Sequence, residues 1–323
     1  MVKKIEITKY GAPEVMDVVE ADELSVGADE VLVRHTAVGL NELDVLARSG
    51  FLQTELPFTP GHEACGIVEE IGANVQNFSI GERVAYVHPD RGAYSEARTI
   101  HQNLLISIPD YVDDDDVAAC LMKGMTAHYL TRRTFFVRKN NYLLLQGASE
   151  GVGLLICQMS KQYDAKLIAT VTQESHKEVV QQAGAGLVLN SNDPQMLDKI
   201  QEYTKGEGVS VAYDLIGKDT IDKSQKALSE FGLLVCAGFT SGMPDPILFK
   251  NIYSKSSFVT CPNYFHYKAD KMEVVLSANE IFAQLQKKLI KPHFFKKYHL
   301  KDVVEAHQDI ESGKQFGQSI IVV

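Results

Sequence analysis

The stretch Tyr142-Leu143-Leu144-Leu145-Gln146-Gly147-Ala148-Ser149-Glu150-Gly151-Val152-Gly153 decides the fold. It opens on a continuous apolar run, the pattern of a strand buried on both faces. Glycines follow at 147, 151 and 153, and apolar residues at Val152, Leu155, Ile156 and Met159 then recur at helical spacing. A strand, a glycine turn and a helix start aim main-chain N–H groups at an anion. Glycine also lets a pyrophosphate come close to the backbone. The spacing departs from the strict G-x-G-x-x-G, so a dinucleotide reading draws its strength from the surrounding pattern.

That pattern alternates. Strands are expected over 142–146, 166–171, 187–189, 209–215, 232–237 and 258–261, with helices over 175–183, 196–203 and 221–228. Six strands separated by helices form an α/β, doubly wound parallel sheet. Ahead of it, 4–8, 30–35, 66–71, 83–87 and 104–108 read as short strands, with one helix over 41–48 closed by Gly50. Behind it come helices over 271–289 and 301–312 and a closing strand over 319–323. The expected division is a β-rich domain, 1–121, completed by 271–323, and a dinucleotide-binding domain, 122–270.

Composition narrows the function classes. The 323 residues are 45% hydrophobic and 23% charged, which are globular values. No apolar run approaches the roughly 20 residues that span a bilayer, and the opening segment lacks a signal peptide's apolar stretch. A cytoplasmic protein with no membrane partner is expected. A net charge of -10 disfavours nucleic acid as a partner. The acidic run at 113–116 reads as a solvated loop leading into a helix, where carboxylates suit the dipole. Five widely spaced cysteines without a Cys-x-x-Cys pair argue against a disulfide framework or a structural zinc lobe.

An acid at the end of the second parallel strand, about 20 residues past the glycines, would bind the ribose 2′-OH of NAD. Here the strand ends Thr170-Val171-Thr172-Gln173, without an acid, and Ser175, His176 and Lys177 follow to meet a 2′-phosphate. This favours NADPH, while Glu174 stands close enough to keep NADH open.

Several further motifs occur in order: Tyr10-Gly11-Ala12-Pro13-Glu14-Val15, Asn41-Glu42-Leu43-Asp44, Pro60-Gly61-His62-Glu63, Gly92-Ala93-Tyr94-Ser95-Glu96, Lys123-Gly124-Met125-Thr126-Ala127 and Tyr213-Asp214-Leu215-Ile216-Gly217. With the glycine loop they resemble the zinc-free quinone oxidoreductases (ζ-crystallin-like) of the medium-chain dehydrogenase/reductase superfamily. The resemblance implies a GroES-like catalytic domain plus a Rossmann domain, a homodimer, NADPH as cofactor and a quinone as substrate. Carried over by position, Asn41, Lys123 and Asp44 form the catalytic set, with Thr126 also near the nicotinamide end. Ser149, Gly151, Val152 and Gly153 would hold the pyrophosphate. Thr172, Ser175, His176, Lys177 and Ser191 would meet the adenosine ribose, and Gly238, Phe239 and Gln318 the nicotinamide half.

This chain departs from that pattern at named positions. His176 replaces a common lysine, Ser191 a tyrosine, and Glu150 a small residue of the phosphate loop. Leu46 and Leu52 stand where relatives carry tyrosines beside the substrate, which implies a more apolar pocket and leaves NADPH-dependent reduction of an enal or enone as the alternative activity. A non-catalytic NADPH-binding sensor, crystallin-like, is the third reading. His62 invites a zinc ligand set, but Asn41 occupies the position of the required cysteine, so no metal is expected. Gly147-Ala148-Ser149-Glu150-Gly151 also matches a hydrolase nucleophile elbow, with Asp214 and His266 as nominal partners. The β-rich first third does not belong to that fold.

Overall fold

The computed structural model describes residues 2–21 and 24–323. The chain divides into two compact units, Met1–Met122 with Asp270–Val323, and Lys123–Ala269.

The first unit begins with an antiparallel pair, β1 (Val2–Ile7) and β2 (Met16–Ala21). Then come β3 (Glu30–Gly39), helix α1 (Glu42–Ser49), β4 (Glu63–Ile71), β5 (Arg83–Val87), β6 (Ala97–His101), the two-residue β7 (Ile106–Ser107) and α2 (Asp114–Tyr129). The stretch 104–108 is thus a short turn and a two-residue strand rather than one continuous strand. Along β3 the buried residues alternate at first, Val31 and Val33 facing inward, and then bury both faces toward Gly39. These residues, with Ile5, Ile7, Val68, Val84, Tyr86 and Tyr94, form the core of this unit.

The acidic run does open a helix, since Asp114, Asp115 and Asp116 occupy the first turn of α2. It is more than a solvated face. The Asp114 carboxylate accepts from Arg83 Nε at 3.0 Å and from the Thr36 hydroxyl at 2.6 Å, which pins the helix start to two strands.

The second unit carries β8 (Tyr142–Gln146), α3 (Gly151–Gln162), β9 (Lys166–Val171), α4 (Lys177–Ala183), β10 (Leu187–Asn190), α5 (Met196–Tyr203), β11 (Val209–Asp214), α6 (Ile221–Ala227), β12 (Leu228–Cys236), α7 (Phe249–Tyr253), β13 (Phe258–Thr260) and α8 (Tyr264–Tyr267). Its strands lie in the order β10-β9-β8-β11-β12-β13, all parallel. Leu143, Leu144 and Leu145 are fully buried, as helices on both faces of a parallel sheet require. The strand order reverses between β8 and β11, which makes their carboxyl ends the switch point where such sheets bind ligands. β12 starts four residues earlier than the sequence pattern suggests, because α6 runs directly into it.

The chain then returns to the first unit through α9 (Lys271–Gln286), β14 (Phe294–His299), α10 (Val303–Glu311) and β15 (Gln318–Val322). β15 pairs antiparallel with β3, Ile321 opposite Val38, and β14 lies parallel beside β15. β14 escapes the periodicity reading because Phe294-Phe295-Lys296-Lys297 does not alternate, and its register is set by β15.

Candidate active site

In the second unit, the turn from β8 into α3 depends on its glycines. Gly147 has φ +80°, a left-handed conformation natural to glycine, and a side chain there would meet Ile216 at 2.9 Å. A Cβ on Gly153 would overlap the Gly147 carbonyl oxygen, so this residue must be glycine for α3 to pack against the turn. Gly151 opens the helix, and the first turn of an α-helix carries N–H groups without intrahelical acceptors. Ser149 is buried beside them, and Val152 lies between the two glycines of the helix start. Glu150 is the extended N-cap residue, its carbonyl accepting from Leu154 N–H at 2.9 Å while its side chain makes no capping bond.

Across the switch point, Asp214 at the end of β11 organises the facing loop. Its Oδ1 accepts from the N–H groups of Ile216 (3.1 Å) and Gly217 (2.8 Å) and from the Thr220 hydroxyl (2.8 Å). Its Oδ2 accepts from the Ser224 hydroxyl at 2.6 Å. A carboxylate committed in this way is not the acid of a hydrolase triad. Gly238 and Phe239 follow β12, and a Cβ at Gly238 would overlap the Leu215 carbonyl. These glycines leave a cradle lined by backbone, which fits a bound dinucleotide.

At the end of β9 come Thr172 and Gln173, then a 3₁₀ turn over Glu174–His176 leading into α4. Glu174 pairs with Lys177 at 2.7 Å and accepts from Asn190 Nδ2 at 3.0 Å. Thr172 and Ser175 are exposed. His176, expected to meet a 2′-phosphate, is buried, and burial lowers its pKa, which disfavours the charged form that a phosphate would pair with. Ser191 is buried too. Its N–H donates to the Val171 carbonyl at 2.9 Å, and its own carbonyl accepts from Lys223 Nζ at 2.6 Å.

In the first unit, Asn41 is the N-cap residue of α1. Its Nδ2 donates to Glu63 Oε1 at 2.8 Å, and Glu63 Oε2 accepts from Met122 N–H at 2.9 Å. The Glu63 side chain packs so closely on Gly39 that a Cβ there would overlap the carboxylate. Asp44 is fully buried. Its Oδ2 accepts from Asn41 N–H (3.0 Å) and the Tyr94 hydroxyl (3.2 Å), and its Oδ1 from Gly61 N–H (3.2 Å). Asp44 is therefore better placed to hold the Asn41 turn than to exchange protons with a substrate.

The Tyr94 hydroxyl also meets His307 Nε2 at 3.1 Å. Since the hydroxyl gives its proton to Asp44, the hydrogen bond assigns the proton on His307 to Nε2. Burial, helped by the Arg48 charge, pushes the His307 pKa down to about 3, so the ring is neutral. Arg48, also fully buried, reaches Glu311 on α10. His62 Nδ1 contacts the His88 carbonyl at 2.9 Å, and burial pushes its pKa down to about 4.

Lys123 and Thr126 lie one turn apart on α2, hence on one face of the helix, Lys123 buried and Thr126 half-buried. Gln318, expected at the nicotinamide half, is buried on β15 of the first unit, where its Oε1 accepts from His293 N–H at 2.7 Å. Sequence reasoning passed over Glu63, Tyr94 and His307 as site residues. Glu63 and Tyr94 lie within stretches that carry the family resemblance, but the hydrogen bonds that place the three residues span up to 213 positions.

The alcohol dehydrogenase GroES-like domain family matches residues 27–133, and the zinc-binding dehydrogenase family matches 151–273. Quinone oxidoreductase 1 of Escherichia coli (strain K12) is 33% identical over the whole of both chains. The chain belongs to the quinone oxidoreductase family of the medium-chain dehydrogenase/reductase superfamily.

The crystal structure of the Escherichia coli quinone oxidoreductase complexed with NADPH superposes with a TM-score of 0.96 at 33% identity, covering 99% of this chain and 100% of that one. A 2-haloacrylate reductase from Burkholderia sp is also 33% identical, over 100% of this chain and 99% of its own. Despite the zinc-binding family description, the donors around Asn41 do not fit a catalytic zinc: a neutral carboxamide holds the position, and Glu63 is taken up by hydrogen bonds. Among the described residues, no three His, Cys, Asp or Glu side chains gather into a metal set. Nor is any described helix long and apolar enough to cross a membrane.

Proposed function

We propose that this protein is a zinc-independent, NADPH-dependent quinone oxidoreductase. The observation that carries this reading is the glycine-defined turn between β8 and α3, at the switch point of a six-stranded parallel sheet. When bound, the reduced nicotinamide supplies the hydride equivalent. Gly151, Val152 and Gly153 would hold the pyrophosphate through main-chain N–H groups, beside Ser149. Gly238, Phe239, Thr126 and Gln318 would serve the nicotinamide half.

The chain's own catalytic work is then orientation. Glu63 fixes the Asn41 carboxamide in one rotation, and Asp44 fixes the turn that carries it. Lys123 would be the third member of the catalytic set. A quinone delocalises the charge it gains over its ring, so water or a weak donor can protonate it and no strong acid is required.

Loss of reduced-nicotinamide absorbance on adding a benzoquinone or an ortho-quinone tests the reading, with NADPH and NADH run in parallel. Turnover well above the non-enzymatic rate is expected. Tight binding without turnover of any electrophile would replace it with a cofactor-binding sensor. A second activity, reduction of an activated C=C bond, is favoured by apolar Leu46 and Leu52, the first buried and the second half-buried. Faster turnover of an enal or a 2-haloacrylate than of any quinone would select it.

The proposal includes a homodimer. β13 is an edge strand, and Phe258, Val259, Phe231, Phe249 and Tyr253 are all exposed in the same unit. An open apolar edge is a template for pairing with an identical strand. A cytoplasmic location is also proposed, supported by five free cysteines, a thiol state that a reducing compartment maintains.

A further inference from the structure

The end of β9 carries a charge arrangement that the cofactor assignment leaves unused. β9 and β10 are parallel neighbours, with Asn190 opposite Val171, so the residues following β9 lie beside the end of β10. The same strand end touches the phosphate turn, since Ala148 N–H donates to the Thr170 carbonyl at 3.1 Å. From this edge Glu174 reaches Lys177 at 2.7 Å and Asn190 Nδ2 at 3.0 Å. Those two partners hold its carboxyl below the usual carboxylate range, so it is ionised at neutral pH.

Among the described residues, the cations identified at this edge are already engaged. Lys177 is paired with Glu174, Lys223 is bound to the Ser191 carbonyl, and burial disfavours the charged form of His176. Thr172 and Ser175 contribute only neutral hydroxyls. In dinucleotide-binding sheets, a carboxylate about 20 residues past the glycines accepts from the ribose hydroxyls, and a 2′-phosphate at the same place meets it as a like charge.

We propose that Glu174 is the specificity-determining residue for the nucleotide: it accepts from the adenosine ribose of NADH and opposes the 2′-phosphate of NADPH, which makes NADH a working cofactor of this enzyme. The proposal rests on the dinucleotide reading above. Lys177 plays the opposite part, offsetting the carboxylate and making NADPH tolerable.

The test is equilibrium binding of NADPH, NADH, 2′,5′-ADP and 5′-AMP by titration calorimetry, which reads affinity without turnover. Glu174→Gln should tighten NADPH and 2′,5′-ADP about tenfold, with NADH unchanged or weaker, as one like charge near a doubly charged phosphate predicts. Lys177→Gln should do the reverse, weakening 2′,5′-ADP relative to 5′-AMP. If the ratio of the NADPH and NADH dissociation constants stays within twofold of wild type in both variants, the proposal is overturned and the dinucleotide reading stands. If wild-type protein binds neither dinucleotide, the dinucleotide reading falls and the proposal with it.

Discussion

The Asn41 side-chain amide donates to Glu63 Oε1 at 2.8 Å, and the other oxygen of the same carboxylate accepts from Met122 N–H at 2.9 Å. One buried carboxyl group thus fixes the start of α1 and a turn of α2 together. Breaking its bond to Asn41 would leave polar atoms buried without partners. Glu63→Ala should therefore cost about 1–3 kcal/mol in denaturant unfolding. It should also lower kcat with quinone more than it raises KM, because it loosens an orienting group rather than a binding surface. An unchanged kcat in a variant that has lost this stability would remove Asn41 from the proposed catalytic set.

Gly153 sits where a Cβ would overlap the Gly147 carbonyl. Gly153→Val should push α3 away from the turn and weaken NADPH binding by roughly a hundredfold or more. Calorimetric titration of a variant with wild-type far-ultraviolet circular dichroism would check this. Retained affinity would mean the pyrophosphate is held elsewhere.

Buried histidines set the response to acid. Burial pushes His35 and His62 down to about 4 and His307 to about 3, from an ordinary value near 6.5. Between those values the unfolded chain binds more protons than the native one, so stability rises with pH and is lost as pH falls below about 6.5. Glu42 works the other way. Burial, with Glu311 and Asp44 nearby, pushes it up to about 7, so it favours the native state at low pH and loses that contribution as pH rises toward 7. The three rings outweigh Glu42 between about 4.5 and 6.5 and leave a net loss on acidification, and the slope eases below about 4, where His35 and His62 take up protons in the native state as well. Urea midpoints measured from pH 4 to 7 should fall with acid, and His307→Gln should flatten the slope. A flat profile in wild type would mean that these rings are not held neutral.

The exposed edge of β13 predicts the assembly state. Val259→Lys places a charge on that edge and should convert the proposed dimer to a monomer in sedimentation equilibrium, with the fold retained. A dimeric variant would move the interface elsewhere, and a monomeric wild type would remove the dimer.

The Rossmann half was legible because its signals are local. A buried strand announces itself by the run 143–145, a phosphate turn by glycines at 147, 151 and 153, and each crossover helix by its apolar period. The β-rich half was less so. β14 has no alternation of its own, and β7 is only two residues long, since both owe their form to the strands they pair with.

The order of motifs along the chain, and with it the two-part architecture and the family, follows from the sequence by itself, because propensity and periodicity act over a few residues. The tertiary structure alone decided which charges are spent. Sequence placed Asp44, His176 and Asp214 only as residue types, whereas folding surrounded Asp44 and Asp214 with donors and buried His176, which disfavours its charged form. Glu174, three residues beyond the end of β9, kept NADH open already in the sequence, and folding brought Asn190 of β10 beside it. Electrostatic role depends on desolvation and on partners distant in the chain, and both are properties of the packed molecule.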